Sequence, residues 1–386
     1  MPRFDQYLFA DYVGSGGHDK SARGLRLVGA TATGQLRELR SANGRHWSRA
    51  SLYEFVCQKL DLASKQGKRV VFGFDHQYSW PLEMLRLASL DIATEWRELI
   101  ASLVNGDSNI GRPAFDSPRQ YAKAFNAWCR RPVFYSKIRQ NSNLYEIPNT
   151  GTAMYRATEE YAKRSGGRPA PANGVGGNGD GAVGGQTLCG LQFLSKFIAR
   201  NDVRAWPFDG LDLSSYKDGH LLVELYPTGL RPRSIRQSDL ADAACACETL
   251  RFADRAGRLD DFLRVPRAVV ETAADRVAKE GWIAGVGDEI PDFTPGIFEE
   301  VQALLNIAEL PANIRVPVRD LSGGATAGAA KPVNVRREEA IDRLVTNGNA
   351  DAAEYLKKWR NAAGRTGGWD GHMKSRYPDL ASVIWR

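Results

Sequence analysis

Cysteine is scarce in this chain, and its arrangement argues against two kinds of site. The 386 residues include five cysteines, and no two of them form a Cys-x-x-Cys pair. An odd, scattered set does not indicate a disulfide framework, and without such pairs a structural zinc site is not indicated either. We expect reduced core residues at Cys57, Cys129, Cys189, Cys245 and Cys247.

Long apolar runs are also missing. No stretch approaches the roughly 18 apolar residues of a membrane span, and the N-terminal MPRFDQYLFADYVG lacks the pattern of a secretory signal. We therefore expect a cytoplasmic protein with no membrane association. The 52 Lys and Arg residues exceed the 45 Asp and Glu residues and give a net charge of +7. That excess favours a polyanionic partner such as DNA or RNA but does not require one.

The first eighty residues read as three strands, a helix and a fourth strand. Apolar runs at 6–13 and 24–32 and the alternating run 34–42 predict an antiparallel meander. Ser51-Leu-Tyr-Glu54 resembles a capping box that opens a helix. The nearly continuous apolar run 68–75 is typical of a strand that is buried on both faces.

The remainder of the chain predicts a mixed α/β domain with additions. Apolar residues at helical spacing indicate a helical insertion at about 82–200, and its glycine-rich stretch 166–185 predicts a flexible surface loop. A strong strand follows at 220–227, and a helix rich in small residues begins at Asp239. The predicted organisation is a domain over 1–287, a linker region over 288–330 and a small C-terminal helical module over 331–386.

Five acidic residues stand out by position. Asp11 and Asp75 end the first and fourth predicted strands, Glu224 lies inside the apolar strand LLVELYP, and Asp239 and Asp242 lie one turn apart at a helix start. Each aspartate also has a structural explanation as a turn or helix cap. Glu224 needs a partner, because an ionised carboxylate inside an apolar strand is costly to desolvate.

Together these carboxylates predict a metal site. Two strand-end carboxylates and two helical ones three residues apart converge if the helix packs over the carboxyl edge of the sheet. Such a cluster raises its own pKa values unless a divalent cation neutralises it. Oxygen ligands favour Mg²⁺ or Mn²⁺.

Six segments carry a resemblance to a known family. The order of elements, with aspartates on the first and fourth strands, resembles the RNase H-like fold, here with a mixed five-stranded sheet. DLADAA is similar to the Asp-x-x-Asp-Ala helix of RuvC-type nucleases, in which both aspartates bind metal. More specifically, six segments together resemble an uncharacterised bacterial group of RNase H-like predicted nucleases. They are FADYVGSGG, GFDHQYSWP, WPFDG, VELYPTG, DLADAACACETL and EGWIAG.

This resemblance implies a nuclease mechanism and assigns roles. Asp11 would bridge two metal ions, Asp75 would replace the Glu of RuvC-type enzymes, and Asp239 or Asp242 would complete the site. Glu224 would be a ligand or a partner of the ligands. The reaction implied is two-metal hydrolysis of a phosphodiester bond, with one ion activating water and the other stabilising the leaving 3′-oxygen. His76 could assist proton transfer or be structural.

Two basic, aromatic-containing segments are candidates for nucleic-acid binding, by contacts to the phosphate backbone and by base stacking. The first, AWCRRPVFYSKIRQ, could equally be a solvated helix end with core aromatics. The second, in the C-terminal module, could bind nucleic acid or a protein partner or fold back on the core. The candidate residues are Arg130, Arg131, Lys137, Arg139, Lys357, Lys358 and Arg360.

Two other functions remain open at this stage. The chain could be a non-catalytic binding subunit that keeps an RNase H-like fold. It could also be an ATP-binding protein of the actin-like or sugar-kinase type, because DYVGSGG is compatible with a phosphate-binding hairpin. The sequence shows no second copy of such a hairpin, and this disfavours the ATP-binding alternative.

Overall fold

A six-stranded mixed sheet organises the protein, seen in a computed structural model. Compact units are formed by Met1–Leu305 and Asn306–Arg386. The structure describes residues 2–14, 17–42, 46–105, 117–137, 145–147, 153–165, 167, 169–175, 183–287 and 292–309.

The described secondary structure begins with three strands, a helix and a fourth strand, and most of the helices follow that strand. The strands are β1 (Gln6–Asp11), β2 (Arg26–Thr31), β3 (Arg37–Leu39), β4 (Val70–Phe74), β5 (Ser136–Lys137), β6 (Tyr145–Ile147), β7 (Val203–Trp206) and β8 (His220–Glu224). The helices are α1 (Arg49–Lys65), α2 (Leu82–Leu87), α3 (Trp96–Asn105), α4 (Pro118–Cys129), α5 (Ala157–Arg164), α6 (Gly184–Ile198), α7 (Pro227–Leu230), α8 (Asp239–Arg255), α9 (Leu259–Phe262), α10 (Arg267–Glu280) and α11 (Thr294–Glu309).

The main sheet has the strand order β3-β2-β1-β4-β8-β7. β1, β2 and β3 pair antiparallel, as the meander pattern predicts, whereas β4, β8 and β7 continue the sheet in parallel. The mixed α/β class with an antiparallel and then a parallel part is therefore confirmed. The predicted number of strands is wrong, because β7 adds a sixth strand at the edge beside β8.

Apolar layers cover both faces of the sheet. Phe72 and Phe74 of β4 point to the layer that contains α1, α3, α4 and α6, and Val71 points to the layer that contains α8 and α11. All five residues of β4 are buried. Parallel strands that are covered by helices on both faces are expected to be apolar throughout, which is the pattern of this run.

The glycine-rich stretch 166–185, predicted as a flexible surface loop, is buried at residues 172–175 and 184–185. Ala172 and Asn173 are buried, and Tyr135 and Gly174 form an isolated β-bridge. Asn173 Oδ1 accepts a hydrogen bond of 3.0 Å from the Met154 backbone. Hydrogen bonds of the backbone and of Asn173, rather than large apolar side chains, hold this stretch against its neighbours. Its low apolar content therefore did not predict that it is buried.

Two other boundaries fall elsewhere than the sequence indicates. Helix α11 lies within the segment 288–330 that was assigned to a linker, and its Ile297 and Val301 are buried. Helix α1 begins earlier than the predicted box at Ser51, because Ser48 is the N-cap and exchanges capping hydrogen bonds with Ser51. The predicted module 331–386 lies outside the described residues.

Candidate active site

Asp11 and Asp75 lie side by side at the carboxyl edge of the sheet. β1 and β4 pair in parallel, with Ala10 opposite Phe74, so the next residue of each strand is an aspartate. The Asp75 backbone N–H donates a hydrogen bond of 3.0 Å to the Ala10 carbonyl. This bond extends the pairing by one residue and brings the two carboxyl groups within hydrogen-bonding reach of each other.

The two carboxyl groups hold protons unusually strongly. Burial raises the pKa of Asp11 well above its ordinary value, and the neighbouring Asp75 and Asp239 raise it further. Burial also raises the pKa of Asp75, to about 7, although the hydrogen bond with Asp11 opposes the change. Two buried carboxylates cannot both ionise cheaply at close range. The pair therefore keeps a proton at pH values at which ordinary aspartates have lost theirs.

Helix α8 brings two more carboxylates to this edge. The helix packs across β1 and β2, and its N-cap Ser238 accepts a 3.1 Å hydrogen bond from the Ala241 backbone. Asp239 is the first helical residue and is exposed. Gly24 leaves room for it, because a methyl group at residue 24 would lie 3.1 Å from Asp239 Oδ2. The amino-terminal end of α8 therefore lies beside the ends of β1 and β2, with the Asp239 carboxylate over Gly24.

Asp242 is engaged by an arginine. Arg231 Nε donates a hydrogen bond of 2.8 Å to Asp242 Oδ1, and Arg231 Nη1 also donates to the Ile235 carbonyl at 2.7 Å. Burial raises the pKa of Asp242, the guanidinium of Arg231 lowers it, and Asp239 raises it again. Asp242 is therefore close enough to affect the pair, but one of its oxygens is held by a cation of the chain itself.

The donor chemistry of these four aspartates fits a hard divalent cation. All are oxygen donors, and their mutual repulsion is the kind that Mg²⁺ or Mn²⁺ relieves. Their positions, in contrast, do not form a compact set of ligands. Among the described residues, no group of three or more His, Cys, Asp or Glu side chains is placed so that it could hold a metal ion. Only Asp11 and Asp75 are drawn together, while Asp239 and Asp242 lie in the surrounding shell.

Glu224, the fifth predicted candidate, belongs to a buried ion-pair network. Arg156, which is fully buried, donates to both oxygens of Glu224, with 2.8 Å between Nη1 and Oε2. The Tyr78 backbone N–H donates to the same Oε2 at 3.0 Å. Burial raises the pKa of Glu224 and Arg156 opposes this. Glu224 therefore positions the segment after Asp75 and stands outside the converging pair.

The network extends from Glu224 toward the insertion. Arg156 also pairs with Glu159, at 2.6 Å between Nη2 and Oε1, and donates to the backbone carbonyl of Glu280. Gln77, two residues after Asp75, donates from Nε2 to Glu159 at 3.0 Å. Fixed partners on both sides thus hold the loop that carries Asp75.

Glu280 lies at the far end of this network and lines a cavity. Its carboxylate accepts hydrogen bonds from the backbone of Leu82, at 2.8 Å, and of Ala157, at 2.6 Å. The cavity measures about 700 Å³ and is bounded by α2 and α10, with Tyr155 in its lining. None of the four aspartates lines this cavity, so it is distinct from the candidate site.

His76 is placed in the core rather than at the carboxylates. Its ring stacks on Phe74, with centroids 5.9 Å apart, and meets Tyr12 edge-on at 4.8 Å. A methyl group at Gly190 would lie 2.5 Å from the ring, which shows how closely α6 packs on it. Burial lowers the pKa of His76 to about 4. The structural interpretation of His76 is therefore the one the geometry favours.

The predicted nucleic-acid-binding residues fall into two groups. Arg130 and Arg131 are exposed at the end of α4, but the nearby Phe134 is buried and Trp128 packs on Phe125, so these aromatics face the core. The backbone of Lys137 lies in β5. The residues that lie outside the described part of the chain are Arg139, Lys357, Lys358 and Arg360.

Sequence reasoning missed the arginines that control these carboxylates. Arg156 is 68 positions from Glu224, so no local spacing links them. A weak signal was present, because Arg156 precedes a helix with Glu159 three residues on, which is the spacing of a capping box. Arg231 gave only the general signal of a basic stretch before the acidic helix.

Comparisons of the chain with protein-family models, with curated proteins and with solved structures found no match. None of the described helices is long and apolar enough to cross a bilayer.

Proposed function

We propose that this protein is a metal-dependent nuclease that hydrolyses phosphodiester bonds of DNA or RNA, with an RNase H-like architecture. The observation that carries the proposal is the pairing of Asp11 with Asp75 at the ends of adjacent parallel strands. Acidic residues with strongly raised pKa values at the edge of a sheet are candidates for a functional site. Helix α8 adds Asp239 and Asp242 from the other side.

The residues of the chain have distinct roles in this proposal. Asp11 and Asp75 would hold the cation, with Asp239 or Asp242 completing its ligands. A bound Mg²⁺ or Mn²⁺ would supply an activated water and would stabilise the charge on the leaving oxygen. The Arg156–Glu224 ion pair orients the loop after β4, and buried His76 keeps a neutral ring in the core.

One observation favours a second candidate, a non-catalytic nucleic-acid- or protein-binding subunit with the same fold. Arg231 already neutralises Asp242, and three carboxylates do not converge in the described part of the protein. An arginine that replaces a cation permanently would leave a stable fold without metal chemistry. The two candidates therefore differ in whether the aspartates bind a divalent cation.

The ATP-binding alternative gains little support. Gly14, in the glycine-rich segment after β1, lies against the backbone of α6, and a methyl group there would lie 2.8 Å from the Gly185 carbonyl carbon. The lack of a side chain at this position is explained by close packing. Residues 15 and 16 of the same segment lie outside the described residues.

Nuclease activity is tested with single- and double-stranded DNA and RNA, incubated with the full chain in Mn²⁺, in Mg²⁺ or in EDTA. The proposal expects cleavage only with metal, and a loss of cleavage of at least a hundredfold in Asp11→Asn. Asp218→Asn is the matched control, because Asp218 is exposed just before β8, at the opposite edge of the sheet. Equal inertness of all proteins on every substrate would overturn the enzyme proposal and favour the binding subunit.

A further inference from the structure

Three arginines form a positively charged group next to the carboxylates. Arg26 lies directly opposite Asp11 in the pairing of β1 with β2. Arg26 Nη1 binds Glu38 Oε1 at 2.8 Å, and Arg40 Nη2 binds the other oxygen, Oε2, at 2.7 Å. Arg23 is exposed in the turn before β2. We call Arg23, Arg26 and Arg40 the arginine arc.

The arc is organised by the fold. Glu38 is largely buried, with 9% of its side chain exposed, whereas the side chains of Arg26 and Arg40 are 30% and 42% exposed. One buried carboxylate thus orients two guanidinium groups whose outer faces reach solvent. Burial lowers the pKa of His46, and the charges of Arg26, Arg23 and Arg40 lower it further. The three arginines therefore all lie close to His46.

The arc also lies next to the candidate site. The Asp239 carboxylate lies over Gly24, which stands between Arg23 and Arg26 in the sequence, and a methyl group at residue 24 would lie 3.1 Å from Asp239 Oδ2. Positive charge therefore continues directly from the exposed end of the aspartate group. A phosphate chain that approached the acidic pair is repelled by the carboxylates, and the arginines of the arc offset that repulsion.

We propose that the arginine arc binds backbone phosphates of a nucleic-acid strand next to the bond that Asp11 and Asp75 address. This proposal rests on the proposed function, since it names where the same substrate is held. Guanidinium groups match phosphate oxygens in geometry and charge, and contacts to phosphates carry no base information.

The tryptophan nearest to the arc in sequence provides no surface for base stacking. Trp47, the nearest tryptophan in sequence to His46, is buried, and its indole N–H donates a 2.9 Å hydrogen bond to the Leu39 carbonyl. Base stacking by an exposed aromatic ring, which is common in single-strand binding, is therefore not provided by Trp47. Binding through the arc depends strongly on salt and little on base sequence.

The test measures binding without cleavage. Full-length Asp11→Asn protein in EDTA is titrated with fluorescently labelled oligonucleotides of two unrelated sequences at several salt concentrations. Adding Arg23→Ala or Arg40→Ala weakens binding about tenfold each at 0.1 M salt and lowers the salt slope by about one, because each phosphate contact carries a slope near 0.9. Arg40→Lys, which keeps the charge, retains most of the slope.

Arg204→Ala is the matched control, because Arg204 is exposed on β7 and pairs with no residue of the arc. Circular dichroism of every variant establishes that the fold is kept. If the background protein binds and the arc variants bind as tightly, the arc proposal is overturned while the nuclease proposal stands. If the background protein binds no nucleic acid at any salt concentration, the arc proposal is also overturned, and the cleavage assay decides the proposed function separately.

Discussion

Asp11 and Asp75 occupy the ends of two adjacent parallel strands, where the Asp75 backbone N–H reaches the carbonyl of the residue before Asp11 at 3.0 Å. The pair is buried enough to hold a proton near neutral pH, and α8 adds two carboxylates around it. Such an arrangement is costly for the fold, because burial of both carboxyl groups raises their pKa values and the charges of Asp75 and Asp239 raise that of Asp11 further.

The carboxylate pair should destabilise the metal-free protein at neutral and alkaline pH. The pKa of Asp75 is raised from its ordinary value to about 7, so the folded state binds its proton more tightly than the unfolded state. The free energy of unfolding therefore falls as the pH rises from about 4 to about 7, and it stays low above that range. Asp75→Asn should remove this loss and increase stability at pH 8 by roughly 2–4 kcal/mol, since one pKa unit equals about 1.4 kcal/mol.

Urea denaturation in EDTA at pH 5 and pH 8 measures this difference. The gain in Asp75→Asn should shrink toward the acidic end of the series, and Asp218→Asn should show no such trend. An Asp75→Asn protein that is less stable than wild type at pH 8 would contradict the raised pKa.

The buried Arg156–Glu224 ion pair should contribute strongly to stability. Arg156→Ala leaves Glu224 and Glu159 buried without their cation, and such breakage of a buried ion pair costs about 3–5 kcal/mol. We expect a drop in melting temperature of roughly 5–8 degrees, measured by calorimetry, and almost none in Arg204→Ala. A drop within a degree or two of that control would show that the network does not hold the loop after β4.

Arg231 should compete with metal for Asp242. Arg231→Gln removes the guanidinium that is bonded to Asp242 Oδ1, and this should strengthen Mn²⁺ binding about fivefold, equivalent to ~1 kcal/mol of removed charge repulsion. Calorimetric titration with Mn²⁺ gives the affinity directly. Unchanged or weaker binding would show that Arg231 does not compete with the metal for Asp242.

His76 should not titrate in the range in which histidines usually act. Burial holds its pKa at about 4, so the ring stays neutral between pH 5 and pH 8. The proton NMR signal of its Cε1–H, assigned by comparison with His76→Gln, should not shift over that range. A transition near pH 6.5 would return His76 to consideration for proton transfer.

The sequence predicted most of what local pattern can encode. The strands that end at or just before Asp11 and Asp75, and the helix that starts at Asp239, follow from runs of apolar and small residues. The cap was assigned one residue too late, because Ser238 rather than Asp239 is the N-cap of α8. β7 was missed because VRAW is short and carries an exposed arginine, so only its pairing with β8 identifies it as a strand.

The partners of the carboxylates could not be read from the sequence. Glu224 was correctly seen to need a counterion, but the pairing with Arg156 depends on how the insertion folds back over β8. The Arg26–Glu38–Arg40 group likewise becomes visible only when β2 and β3 are paired. Pairing with arginines that are distant in sequence, such as that of Glu224 with Arg156, separates the acidic residues that are neutralised by the chain from those that are not.

We propose that Asp11 and Asp75 together hold the metal ion. Calorimetric titration of the full-length protein with Mn²⁺ tests it most directly, with Asp11→Asn, Asp75→Asn and Asp218→Asn measured in parallel. We predict binding by wild type and Asp218→Asn, and a loss of at least tenfold in affinity in each of the other two. Mn²⁺ binding that is equal in all four proteins, or absent from wild type, would contradict the account.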